Sequence, residues 1–83
     1  MQQRDTIDRV RQVISDVMHV PMDVVQPDAI LERLGETDSL TMAEIASALE
    51  AEFGIRIRTE ALGEARTAIE FTAIVQSAVS AEA

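Results

Sequence analysis

"LGETDSLTMAEIASALEAEFGIRI", residues 34–57, decides how the chain folds. Asp38 and Ser39 are both favoured N-cap residues, and a stripe of Leu40, Ala43, Ala46, Leu49 and Phe53 follows at helical spacing. The helix expected here runs from Ser39 to Phe53 and ends at Gly54, a residue able to take the left-handed C′ position. "IRIR" at 55–58 alternates apolar and basic residues as a strand would, but no second strand is available to pair with it. It reads as an extended connection with Ile55 and Ile57 pointing inward. Ser39 either opens the helix or is displayed there for attachment, and for a bare D-S-L the capping role comes first.

Working outward, Ile7, Val10, Ile14, Val17 and Met18, with Val13 beside them, mark one stripe of a helix from Asp5 to Met18. Asp5 or Thr6 can cap it, and Pro21 stops it or follows its end. Residues 19–37 read as a long connection folded back over the core, with a short helical turn at 28–34. Its apolar anchors are Val24, Val25, Ile30, Leu31 and Leu34. After Thr59 a short helical piece around "EALGEA" is interrupted by Gly63. A last helix to about Ser80 carries Ile69, Ile74, Val75 and Val79, with Thr67 and Thr72 both eligible to start it. The expected fold is all-α: a small four-helix bundle of three main helices plus one short one, with a long loop between the first and second, forming a single domain over residues 1–83.

Composition agrees. The 83 residues are 47% hydrophobic with two phenylalanines as the only aromatics, so the core is Leu, Ile, Val, Ala and Met, which suits helices better than strands. A chain this short buries only about 60–65% of its extended surface. Net charge is −8, and residues 28–53 hold seven acids against Arg33 alone. That field repels nucleic acid and anionic membranes and attracts basic surfaces. The polar start lacks the apolar stretch of a secretory signal, and no run reaches the ~18 apolar residues of a membrane span, so a cytoplasmic location is expected.

An enzyme is not expected. His19 is the sole histidine, placed to cap a helix end or face solvent, and there is no cysteine, lysine, tyrosine or tryptophan. The absent cysteine rules out disulfides and thiolate metal sites. Carboxylate pairs could do acid–base work, but so small a domain is expected to offer no obvious cleft. "DAILERLGETDS" lacks the pattern of a calcium loop.

Taken together, "LERLG" at 31–35, "DSL" at 38–40, Glu44 five residues after the serine, "LEAEFGI" at 49–55 and the I-x-I that follows resemble the acyl, aryl and aminoacyl carrier proteins of fatty-acid, polyketide and nonribosomal-peptide pathways. The match spans roughly residues 24–57, and the combination is far more specific than any single short motif. The resemblance implies 4′-phosphopantetheine joined to the Ser39 hydroxyl through a phosphodiester, with cargo riding as a thioester on the arm. It implies that a phosphopantetheinyl transferase reads Asp38. It sets Leu40 at a surface hinge, although ordinary core is the competing reading for that residue. Leu40, Ala43, Glu44, Ser47 and Glu50 would meet basic patches on partner enzymes: the transferase, a cargo-loading ligase or synthase, and downstream acyl- or aminoacyl-accepting enzymes. Glu52 reads as a solvated polar residue beside them. A monomer is expected.

The chain departs from the family pattern in places. Glu36 and Thr37 stand between L-G and D-S-L, where the usual acyl carrier has one residue. Thr41 and Ala51 stand where fatty-acid carriers commonly have acids, Ser47 where they have an apolar contact residue, and "IRIRTE" is basic. These differences imply a dedicated, stand-alone carrier of a specialised pathway. Peptidyl carriers show G-G-(H/D)-S, absent here, so acyl cargo is favoured, with an aminoacyl carrier charged by its own ligase as the alternative. An unmodified adaptor binding through its acidic helix is the remaining reading, and retention of Asp38, Ser39 and Leu40 weighs against it.

Overall fold

The computed structural model describes residues 3–82. Four helices follow in order: α1 at Gln3–Met18, α2 at Ser39–Phe53, α3 at Thr59–Leu62 and α4 at Ala68–Glu82. Two 3-10 turns, Met22–Val24 and Leu31–Arg33, lie in the long connection between α1 and α2. Among the described residues there is no strand, and residues 55–58 are the extended connection expected of them. The helices form the small all-α bundle, with α1 packed against both α2 and α4.

In α1, Thr6, Val10, Val13 and Ile14 fall on one face and are buried. Neither Asp5 nor Thr6 caps this helix, because it is already formed at Gln3. Asp5 instead sits in the first turn, and Thr6 is committed to the buried face one turn before Val10. The helix ends before Pro21 is reached. His19 takes a left-handed conformation at φ 57°, and the Val20 N–H donates back to the Ser15 carbonyl at 3.2 Å, closing the last turn.

The connection that follows is fixed at several points. Val25 and Leu31 are buried plugs, while Val24 and Ile30 stay exposed, contrary to their expected role as anchors. Consecutive residues at the ends of the two 3-10 turns point in different directions, and Val25 and Leu31 take the inward positions. The Arg11 side chain spans the loop, donating from Nε to the Val25 carbonyl at 2.6 Å and from Nη2 to the Met22 carbonyl at 3.1 Å. Leu31 N–H donates to the Arg66 carbonyl at 2.9 Å, and Ile69 N–H donates to the Pro27 carbonyl at 3.0 Å. The loop is thereby sewn to both α1 and the start of α4.

The bounds of α2 are those expected from the sequence, but its buried face is not. Ile45, Ala46 and Leu49 are buried, with Met42 and Phe53 packed beside them, whereas Leu40 and Ala43 face outward. The expected stripe was rotated because it passed through Ala43 and omitted Ile45, whose larger side chain gains more from burial. In α4, Ala68, Phe71, Thr72 and Val75 are buried, and Ile69 and Val79 are exposed. Thr67 is the start: its Oγ1 accepts from Glu70 N–H at 3.2 Å, and Glu70 Oε1 accepts from Thr67 N–H at 3.2 Å, a reciprocal capping box. Thr72 lies inside the helix, its hydroxyl donating to the Ala68 carbonyl at 2.7 Å. Full burial of Phe71 in the core contributes roughly 2–3 kcal/mol.

Two residues hold left-handed backbone, and their substitutions should move stability in opposite directions. Gly54, at φ 64°, ends α2, and a Cβ there would meet no other atom within 4 Å. Gly54→Ala therefore loses about 1 kcal/mol from conformation alone, lowering Tm by about 4–8 °C. His19→Gly relieves the equivalent cost while loosening the unfolded chain by roughly 0.5–1 kcal/mol, so a net gain of about 0–4 °C is expected. Thermal unfolding followed by circular dichroism checks both.

Candidate functional site

Ser39 is the first residue of α2 and is exposed. Its position follows from Asp38, whose backbone is extended (φ −71°, ψ 176°) and whose carboxylate accepts from the Thr41 N–H at 2.8 Å. Asp38 therefore takes the N-cap, and Ser39 is released from that task. Its hydroxyl stands at the helix opening, where unpaired backbone N–H groups and the positive end of the helix dipole favour an attached anion.

The bonds from Thr41, its backbone N–H foremost, hold the Asp38 carboxyl below its ordinary range, and slight desolvation opposes them only weakly. The side chain is consequently ionised in the folded protein at neutral pH.

Contrary to the expectation for so small a domain, a cleft opens beside Ser39. It has a volume of about 380 Å³ and lies between the loop, the first turns of α2 and the α3–α4 connection. Leu31, Met42, Leu62 and Ala65 make it largely apolar, while Thr37, Ser39, Glu32 and Arg66 supply its polar lining. Thr37, one of the two residues between Gly35 and Asp38, thus becomes part of the cleft wall. Among the described residues, no group of three or more His, Asp or Glu side chains could hold a metal ion, and no helix is long and apolar enough to cross a membrane.

Leu40, Ala43, Glu44 and Ser47 recur at helical spacing on the outward side of α2, and all four are exposed. Leu40 is 69% exposed, a surface residue and not core. Glu50 lies apart from them. It is half-buried, and its Oε2 accepts from the Ile57 N–H at 2.8 Å, tying α2 to the extended connection. Glu52 is engaged as well, through Oε2 to Arg9 Nε at 2.9 Å, and the same guanidinium lies 4.3 Å above the Phe53 ring. The acidic surface around Ser39 is therefore made by Glu32, Glu36, Asp38 and Glu44, all exposed.

Sequence reasoning missed Arg66 and Leu62 as neighbours of the serine. Their approach is a tertiary event: the Leu31 N–H to Arg66 carbonyl bond draws the α3–α4 connection against the loop before α2. The T-x-x-E box at 67–70 was a local signal for the helix start, but nothing local links it to Ser39.

Residues 8–75 match the family model described as phosphopantetheine attachment site. The chain is 37% identical over 76 residues to part of a non-reducing polyketide synthase from Emericella nidulans, covering 92% of this chain and 3% of that protein. It is 28% identical over 81 residues to an acyl carrier protein from Thermosynechococcus vestitus, covering 98% of this chain and all of that one. An acyl carrier protein from Petrotoga mobilis is 31% identical over 67 residues, covering 81% of this chain and 79% of its own.

The cap has a pH signature. Because the Asp38 carboxyl is depressed in the folded state, its stabilising effect is complete above the unfolded-state value. It is lost as pH falls through the lower folded value, hence below about pH 4. Asp38→Ala is expected to lower Tm by a few degrees at pH 7, with the gap to wild type narrowing as pH drops below 4. A melting series across pH 2–7 checks it.

Proposed function

Since the chain belongs to the phosphopantetheine-dependent carrier family, we propose that Ser39 is the residue that bears the 4′-phosphopantetheine arm. The chain is a carrier of fatty-acid or polyketide type and not an enzyme. The observation that carries the assignment of Ser39 is its exposure at the first position of α2, with the capping role taken by Asp38. A hydroxyl consumed by capping would be turned toward the backbone, whereas this one is free to react.

The residues fit the group. The Ser39 hydroxyl would give its oxygen to the phosphorus of coenzyme A, with adenosine 3′,5′-bisphosphate as the leaving group and the hydroxyl proton taken by a base of the transferase. The helix opening would present its positive end to the attached phosphodiester. When attached, the arm supplies a terminal thiol that holds cargo as a thioester, a group the chain's own side chains cannot provide, having no cysteine.

Acyl cargo is the favoured cargo, supported by the acyl carrier and polyketide synthase relatives and by the apolar cleft beside Ser39. An aminoacyl carrier charged by a dedicated ligase is the alternative. The partners are a phosphopantetheinyl transferase, a loading ligase or synthase with a basic docking patch, and enzymes that accept the cargo. Leu40, Ala43, Glu44 and Ser47 make the docking face, an apolar knob beside a carboxylate. Glu50 adds charge at its margin, its carboxylate already held by Ile57. In this reading residues 1–83 are one carrier domain, monomeric, cytoplasmic and dedicated to a specialised pathway.

Incubation with coenzyme A, magnesium and a broad-specificity phosphopantetheinyl transferase, followed by intact mass, tests the central point. One phosphopantetheine is expected on the wild type and none on Ser39→Ala. Addition to the Ser39→Ala protein would move the site elsewhere. No addition with any of several transferases would favour the adaptor reading.

A further inference from the structure

An arm on Ser39 brings a phosphodiester, a permanent negative charge joined directly to the serine oxygen. The surface that receives it is already acidic. Asp38 is the preceding residue, ionised by its bonds to Thr41, and Glu32 lines the same cleft as Ser39. The helix opening offsets part of the repulsion, but within one or two turns and only partially. A facing cation would offset more.

Arg66 is the one basic residue among those that line the cleft with Ser39. Its backbone is fixed from both sides: the carbonyl accepts from Leu31 N–H at 2.9 Å, and the N–H donates to Glu70 Oε1 at 2.7 Å. Its side chain is exposed and makes no ion pair among the described residues, unlike Arg9, Arg11 and Arg58. An arginine that lines an apolar cleft, anchored at its main chain and with its guanidinium uncommitted, is suited to a phosphate, whose oxygens match its planar fork.

We infer that Arg66 is the positioning residue of the arm, its guanidinium pairing with the phosphodiester on Ser39. Pairing lays the first part of the arm along the cleft floor of Leu31, Met42 and Ala65 and away from open water. The cleft, near the small end of the range for ligand pockets, takes that part and not the whole arm. A partner enzyme that draws the arm out must replace the Arg66 contact with a cation of its own, which ties release to docking on the adjacent α2 face. The inference rests on Ser39 bearing the arm.

The test uses wild type, Arg66→Gln and Arg66→Lys, each with and without the arm, after intact mass has established attachment. The readouts are the Tm difference between loaded and unloaded forms and the phosphorus-31 resonance of the phosphodiester. In wild type the arm should raise Tm by about 2–4 °C at low salt, the size of an exposed charge pair in a domain of this length. The increment should vanish in Arg66→Gln, persist in part in Arg66→Lys, and shrink in 1 M salt, where screening acts within about 3 Å. The resonance should shift between wild type and Arg66→Gln. Equal increments and an unmoved resonance with the arm in place would overturn the role of Arg66 while leaving Ser39 as the attachment site. Absence of the arm from the wild type would overturn both. If Arg66→Gln did not fold, a lysine variant matching wild type in increment, resonance and salt response would equally overturn the two-pronged contact.

Discussion

The guanidinium of Arg11 holds the connection on which the site depends. About twenty residues separate α1 from α2, too many to fix by chain stiffness, and their backbone carbonyls need partners wherever water is excluded. Arg11 satisfies two of them, at Met22 and Val25, from a helix that is itself locked to the core by Val10 and Ile14. Hydrogen bonds from a charged donor are worth roughly 1.5–3 kcal/mol each, comparable with a buried aliphatic side chain. With Val25 set by Arg11, Leu31 can seat in the core, Leu31 N–H can reach Arg66, and the chain arrives at Asp38 with a defined direction.

From that point the local chemistry of α2 takes over. A carboxylate at Asp38 fixes where the helix begins, and the positions of Met42, Ile45, Ala46, Leu49 and Phe53 fix which way it is turned. Every residue on the other side follows as a consequence. Leu40 is exposed because the inward direction at the first turn belongs to Met42, and Glu44 is exposed because Ile45 is its inward neighbour. An acidic, mostly small-residue surface next to the serine is thus the reverse side of an aliphatic seam. At the far end, Arg9 clasps Glu52 and covers Phe53, joining α1 to the last turn of α2.

The parts of this arrangement legible in the sequence are those governed by residues close together in the chain. Asp38, Ser39 and Gly54 marked the ends of α2 and Gly63 the interruption after α3, whereas the start of α4 stayed open between Thr67 and Thr72 until the Thr67–Glu70 box decided it. The phase of the helices was harder. Ala43 and Ile69 satisfy helical spacing as well as Ile45 and Phe71 do, and only competition for core volume separates them. Arg11 and Arg66 were illegible for a different reason: an arginine on a helix or in a turn reads as solvated until the carbonyl or cleft it faces is known. The serine itself was read through a family pattern, which carries what spacing alone does not.

The chemistry of Arg66 also bears on how long a cargo survives. A thioester is an acylating agent, and an amine or thiol held against it would take the acyl group for itself. Apart from the imidazole of His19, the seven basic side chains of this protein are all guanidinium groups, which stay protonated at any physiological pH and do not act as nucleophiles there. A lysine in the cleft could bind an anion too, but its fraction of free amine would destroy the load it helped to place. With neither lysine nor cysteine in its 83 residues, the chain would offer a thioester carried on such an arm no side-chain amine or thiol to attack it.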